Sequence, residues 1–263
     1  MSKEEKSVER EAGVQGSRWS TVHEGYFSNP DVAQPLVNAI CRAMKDRAPT
    51  VLADLGGGTG FILHQVLAQN PCEGVRVEDV DISTRQLSED HDPHVVNLAY
   101  SAADVTRANL CPRQDDRLMF TMRSLLHYFG HKGSRSLLRH LREQMKPGEV
   151  FVHQSACFED AIGAKCLDRI YAMMKSDKWY TTVDDMAKVL KKEGWAVTKI
   201  EAAPPIHLTS ADLADRYHLS DADVKAIRDD VASRYGTIPG VFDLTEDGFS
   251  SWGHYRIFTC TAD

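Results

Sequence analysis

Residues 51–60 read Val51-Leu52-Ala53-Asp54-Leu55-Gly56-Gly57-Gly58-Thr59-Gly60. Val51 to Leu55 form the short apolar run of a strand buried on both faces. Phe61, Ile62, Val66 and Leu67 follow at helical spacing, so the glycines occupy a strand-to-helix turn. Glycines at 56, 58 and 60 let the main chain bend sharply and come close to a ligand, because a side chain there would clash or forbid positive φ. Two common nucleotide loops fit poorly. The dinucleotide fingerprint Gly-X-Gly-X-X-Gly fails at Phe61, and no Gly-Lys-Ser/Thr is present for a triphosphate loop.

Outward from this turn, short apolar runs alternate with helical ones, the pattern of strands joined by crossover helices in a parallel sheet. Strands are expected near 51–55, 75–80, 98–102, 117–122, 149–155, 196–201 and 255–261. A helix over Ser136 to Lys146 carries Leu137, Leu138, Leu141 and Met145 on one face and stops at Pro147-Gly148. Another, Val183 to Lys192, starts after Thr182 with Asp185 three residues on and ends at Gly194. Residues 204–253 depart from the alternation and read as a helical insertion before the last strand, with a capped helix from Ser220 and Asp223 to Gly236. Residues 17–48 read as amino-terminal lid helices, with Val32, Leu36, Val37, Ile40 and Met44 at helical spacing. Residues 1–16 are polar and aperiodic, the composition of a disordered tail, and 17–263 form one domain.

The composition narrows the function classes. With 38 acidic against 31 basic residues and a net charge of -7, the chain lacks the clustered positive charge of a nucleic-acid binder. No apolar run approaches the roughly 20 residues that span a bilayer, and Met1 to Gly13 is charged where a signal peptide would be apolar. A cytoplasmic protein away from membranes is expected. Six cysteines without a Cys-X-X-Cys pair indicate neither a zinc ribbon nor a disulfide framework.

Asp54-X-Gly56-X-Gly58-X-Gly60 resembles motif I of the class I S-adenosylmethionine-dependent methyltransferases. That resemblance implies an α/β fold with a Rossmann-like, seven-stranded, mostly parallel sheet, S-adenosylmethionine as cofactor and S-adenosylhomocysteine as product. It gives Asp54 the methionyl amino end, with the backbone of Gly56, Gly58 and Gly60 packed beside it. An acid beside the loop suits this ligand, which has an amino acid end and no pyrophosphate. Asp81, in Val80-Asp81-Ile82-Ser83, matches the acid that accepts from the ribose hydroxyls, with Ile82 next to it and Asp79 as the nearest competitor. Asp104 matches the residue that accepts from the adenine amino group, with Ala103 and Val105 flanking the ring. The run Met119 to Phe129 resembles the fourth strand and the Leu-His-His/Tyr-Phe segment after it, with Arg123 at its turn expected among the cofactor-binding residues. Met145-Lys146-Pro147-Gly148-Glu149 is similar to the turn before strand five. The ordered matches cover roughly 50–155. Departures are Gly57 and Thr59, where some members carry a Cys or Ser-like residue, and the acid usual near strand four, here Asp115-Asp116.

Methyl transfer is an in-line displacement at a sulfonium carbon, so alignment and exclusion of water are the protein's main tasks. A base that takes the acceptor's proton is best supplied by histidine. His127, just beyond strand four, is the first candidate and His153 on strand five the second. His207 and His254 flank the insertion. Aromatic residues in the covering segments, Trp19, Tyr26, Tyr171, Trp179 and Tyr180, are expected to wall the pocket, with Tyr26 against the cofactor and Trp19, Tyr171, Trp179, Tyr180 and His207 toward the substrate. His91-Asp92-X-His94 and His127 with His131 lack a third ligand, so no metal is expected. A Gly-X-Ser-X-Gly elbow is also absent, against a hydrolase. The expected activity is methylation of an oxygen or nitrogen of a small molecule. RNA or protein methylation is the alternative, though no Asn-Pro-Pro-Tyr-like motif is present. A noncatalytic cofactor-binding protein is the third reading. The helical insertion offers a face for a second copy of the chain, as in a homodimer.

Overall fold

The computed structural model describes residues 22–263, so the tail at 1–16 and Trp19 lie outside the described residues. Among the described residues there are nine strands: β1 (Val51–Leu55), β2 (Arg76–Asp81), β3 (Val95–Ala99), β4 (Leu118–Arg123), β5 (Val150–Phe158), β6 (Thr181–Thr182), β7 (Trp195–Thr209), β8 (Phe242–Leu244) and β9 (Phe249–Ala262). The helices used below are α1 (Pro30–Arg47), α2 (Phe61–Gln69), α3 (Thr84–Leu87), α4 (Arg107–Leu110), α5 (Gly130–Glu143), α6 (Ala161–Met173), α7 (Val183–Lys192), α8 (Ser210–Tyr217) and α9 (Asp221–Tyr235).

Seven strands make the main sheet in the order β3-β2-β1-β4-β5-β9-β7. β1 to β5 run parallel, while β9 is antiparallel to both β5 and β7. All five residues of β1 are buried, which accounts for a run that is apolar except at Asp54: a central parallel strand meets helices on both faces. On one face, Leu36 and Ile40 of α1 and Leu167 and Ile170 of α6 pack against Val152 and Ala156. On the other, Leu137, Leu138 and Leu141 of α5 pack against Phe120, Phe151 and Trp195, and the Trp195 indole donates to Leu138 O at 3.0 Å. The chain leaves β1 toward β2 on one side and returns as β4 on the other. Such a reversal opens a crevice at the carboxyl ends of the strands, the place where open α/β sheets bind ligands.

Helix starts follow capping chemistry. Asn29 Oδ1 accepts from Asp31 N at 2.9 Å ahead of α1, Thr182 Oγ1 accepts from Asp185 N at 3.1 Å ahead of α7, and Ser220 with Asp223 forms a reciprocal capping box on α9. Each cap satisfies amides that the first helical turn leaves without partners.

Four elements differ from the sequence expectation. β3 ends at Ala99 rather than 102, because Val95, Val96 and Leu98 pair with β2 and the chain then turns at Tyr100. α5 begins at Gly130, six residues earlier than its apolar stripe, directly from a 3-10 turn over Leu126–Phe129. β7 and β9 outrun the expected strands, so the stretch between them narrows from 204–253 to 210–248. β7 continues through Pro204-Pro205 because it is the sheet's outermost strand, where a missing N–H is tolerated, and its register shifts between Ala203 and Ile206. Among the described residues, no helix is long and apolar enough to cross a membrane.

Candidate active site

The glycine turn closes the crevice at the tip of β1. Gly56, Gly58 and Gly60 adopt φ of 72°, 69° and 71°, the left-handed region that glycine enters without strain. Gly56 N–H donates to Val80 O at 2.7 Å. Gly58 N–H donates to Asp81 Oδ2 at 3.1 Å, and Ser83 N–H to Asp81 Oδ1 at 2.7 Å. Asp81 thus ties the glycine loop to the tip of β2 with its carboxylate. Gly57 is constrained differently: a Cβ there would collide with Asp79 Oδ1 and lie 3.0 Å from Asp54 Oδ2.

Beside this loop lies an open groove with about 280 Å³ of empty space. Gly56, Asp81 and Ile82 form one side, Tyr100, Ser101 and Ala102 another, and Leu125 and Phe129 the floor after β4. Of the residues expected around the adenine, Ala103 is half-buried, Asp104 exposed and Val105 fully buried in the core beside β1. None of the three lines the groove; the early end of β3 puts Tyr100 to Ala102 there instead.

Beneath the loop the site is acidic. Asp54 and Asp79 occupy paired positions on β1 and β2. Both are buried, and none of their four carboxylate oxygens has a hydrogen-bond partner. Burial, then the charge of Asp81, pushes Asp54 up to about 7, with Arg123 acting in the opposite direction. Burial, then Asp54, Asp81 and Asp90, pushes Asp79 up to about 9. The Gly60 N–H eases Asp79 in part without reaching hydrogen-bonding geometry. Arg123, at the end of β4, donates to Phe27 O at 3.0 Å and Tyr26 O at 3.2 Å. Its guanidinium carbon lies 5.5 Å from the Tyr26 and Phe27 ring centres and 5.9 Å from that of Phe61. Tyr26 is buried and its hydroxyl donates to Pro204 O at 2.6 Å, so the segment before α1 is bound to β4 and β7 together.

His127 sits just past β4 in a cluster of aromatic and cationic groups. Its ring lies 4.2 Å from Tyr128 and 5.7 Å from Tyr180, and Tyr180 lies 5.2 Å from Tyr171. Lys178 Nζ is 4.6 Å from the Tyr128 ring and 4.5 Å from that of Tyr171, and donates to Tyr217 Oη at 2.9 Å. Arg216 donates to Tyr128 Oη at 3.4 Å. Burial, then Lys178 and Arg216, holds His127 well below the ordinary imidazole range, and its Nδ1 has no hydrogen-bond partner. The imidazole is therefore neutral at pH 7 and presents an acceptor or a donor according to tautomer.

Other expected residues stand elsewhere. His153 is corrected from the catalytic set: it is fully buried, stacked between Phe151 at 4.6 Å and Phe258 at 5.1 Å, with Nδ1 2.7 Å from Ser155 Oγ. It is a core histidine on the sheet face covered by α5. His207 stacks on Trp252 at 5.0 Å and meets Ser250 and Glu24 rather than the tyrosine cluster. His254 stacks on Phe158 and bonds Gly240 O. Trp179 packs into the core with His131 against its ring, though its backbone N–H donates to His127 O at 3.0 Å. Sequence reasoning missed Tyr128, Lys178 and Arg216 as a group, because three distant segments carry them and no local spacing links them. Asp79 was visible only as a competitor of Asp81.

No family model and no curated protein matches the chain. Solved structures do. The 1,6-didemethyltoxoflavin-N1-methyltransferase of Burkholderia thailandensis, with bound 1,6-didemethyltoxoflavin and S-adenosylhomocysteine, is 16% identical over 98% of this chain and 89% of its own, with a TM-score of 0.55. An S-adenosylmethionine-dependent methyltransferase of Geobacter sulfurreducens in complex with S-adenosylhomocysteine is 12% identical over 90% of this chain and 93% of its own, TM-score 0.53. The [4+2]-cyclase SpnF is 14% identical over 87% and 80%, TM-score 0.53. At such identities the likeness is one of fold, and it covers most of each chain.

Proposed function

We propose that this chain is an S-adenosylmethionine-dependent methyltransferase acting on an oxygen or nitrogen of a small molecule. One observation carries the reading: a buried Asp54 carboxylate without a hydrogen-bond partner stands under a glycine turn that opens onto a groove edged by Asp81. A buried unpartnered carboxylate is costly unless a ligand completes it, and the donor's ammonium supplies the missing charge and hydrogens. In this reading Asp81 accepts from ribose hydroxyls and Tyr100 to Ala102 flank a base, which their position along the groove supports. Two of the fold neighbours were solved with S-adenosylhomocysteine, which supports the same cofactor here.

The donor supplies an activated methyl on a positively charged sulfur; the rest is alignment. Asp54 anchors one end and Asp81 the other, while Tyr26, held by Arg123 and Pro204, keeps water off that side. On the acceptor side, the buried rings of Tyr128, Tyr171 and Tyr180 around His127 are the proposed aromatic contacts for a small molecule. His127, neutral and with a buried, unpartnered Nδ1, is suited to accept a hydrogen bond from the acceptor's O–H or N–H.

Calorimetric titration with S-adenosylmethionine and S-adenosylhomocysteine, followed by a methyl-release assay over a panel of metabolites, tests this. Binding of both and turnover of at least one acceptor is expected. Absence of binding overturns the reading. Tight binding without turnover on any acceptor replaces it with a nonmethylating cofactor binder, since one fold can serve different chemistries.

A further inference from the structure

We infer that Asp54 and Asp79 together form a two-carboxylate seat for the ammonium end of the methyl donor, and that the pair gives up a proton when that end binds. The inference rests on the donor reading and adds to it a second carboxylate and a proton.

The geometry is specific. β1 and β2 bring the two residues into direct register, and their side chains converge under one residue, Gly57, which must lack a Cβ to leave them room. Neither carboxylate makes a hydrogen bond, and both are buried. A purely structural carboxylate in a core is paired or hydrogen-bonded; here two adjacent ones are not. Asp81 differs, since backbone amides hold both its oxygens. Asp90, near Gly60, is also engaged, pairing with His64 of α2 at 2.8 Å.

The charges around the pair account for the proton it holds. Facing groups on β2 and the following loop, Asp81 and Asp90, are acidic, and His64 is committed to Asp90. Among the described residues, Arg123 on β4 is the cation that acts on Asp54, and its hydrogens go to the Tyr26 and Phe27 carbonyls. Two neighbouring carboxylates without solvent or a counter-ion do not both ionise. An arriving ammonium provides that counter-ion. It favours the doubly ionised pair, and the displaced proton passes to solvent; no other bond forms or breaks.

The test uses the full chain and two nucleosides that differ only at the amino acid end. S-adenosylhomocysteine carries the ammonium; 5′-methylthioadenosine does not. Titration at pH 7.5 in phosphate and in Tris, whose ionisation enthalpies differ, counts protons released. We expect about one proton on binding S-adenosylhomocysteine and none with methylthioadenosine. Asp79→Asn, near-isosteric with the protonated acid, is expected to cut the release by half or more while leaving methylthioadenosine binding within about twofold. In the unaltered protein, the affinity ratio of the two ligands should rise from pH 6 to pH 8, by up to about tenfold per pH unit. Equal proton counts for the two ligands, or a ratio flat with pH, overturn the inference while leaving the donor reading intact. Failure of both ligands to bind overturns the two together.

Discussion

Gly57 and Asp81 show how much of this site is decided by single residues. The three alternate glycines were legible because glycines spaced in this way directly after a buried strand point to a turn with positive φ. Gly57 was not, since its constraint is the pair of carboxylates on neighbouring strands, a contact that no linear spacing records. Asp81 serves the loop and the groove at once, so Asp81→Ala should weaken S-adenosylhomocysteine by about 1–3 kcal/mol as hydrogen bonds are lost. Titration calorimetry checks this, and an unchanged dissociation constant would remove Asp81 from the site. Asp79 sets a second expectation. Its folded value of about 9 stands above the ordinary carboxylate value of 3.8, so the folded state holds the proton more tightly than the unfolded chain. That contribution is complete below pH 4 and is lost as pH rises through about 9. The ligand-free protein should therefore lose stability across this range, and Asp79→Asn should flatten the loss, being more favourable relative to the native residue at pH 8 than at pH 5. Urea midpoints at the two pH values decide it. Ala103, Asp104 and Val105, expected beside an adenine, lie off the groove for a simpler cause: β3 ends three residues early, and Tyr100 to Ala102 line it instead.

At the level of elements, the segment before α1 is a clamp whose key lies on β4. Arg123 is half-buried and reaches back to two carbonyls, Tyr26 O and Phe27 O, while the rings of Tyr26, Phe27 and Phe61 surround its guanidinium. Arg123→Met keeps much of the volume but removes the donors. It should cost about 2–4 kcal/mol of unfolding free energy, because hydrogen bonds to a charged group are worth more than neutral ones. It should also open residues 26–30 to protease. Denaturant unfolding and limited proteolysis read these separately, and wild-type values in both would show the clamp to be ornamental. Strand positions near the centre of the sheet were legible because burial on both faces leaves short, largely apolar runs such as Val51 to Leu55 and Leu118 to Met122. The edge was not: β7 carries mixed exposure and Pro204-Pro205, features that read as a loop until its place outside β9 is known.

For the molecule as a whole, the stretch between β7 and β9 looked from the sequence like a cap laid over a finished domain. The packing makes it part of the core. Leu213 of α8 and Ile227 and Val231 of α9 are buried in the same cluster as Leu167 and Ile170 of α6 and Leu36 of α1. Arg169 of α6 forks onto Asp230 of α9 with bonds of 2.7 and 2.9 Å. A shared apolar cluster loses its burial everywhere when one wall leaves, so the insertion should unfold with the sheet rather than swing away from it. The tryptophans report on this separately: Trp195 lies in the opposite core under α5, whereas Trp252 stands on β9 where it pairs with β7. In urea, tryptophan fluorescence and far-ultraviolet circular dichroism should trace one coincident transition. With Trp19, Trp179 and Trp195 replaced by Phe, so that Trp252 alone of the four tryptophans remains, the fluorescence should keep to the dichroism curve of that variant. A fluorescence change that runs ahead of dichroism at low urea would mean that the insertion opens first, and that access to the His127 cluster is controlled by a moving cap rather than by side chains around a fixed one.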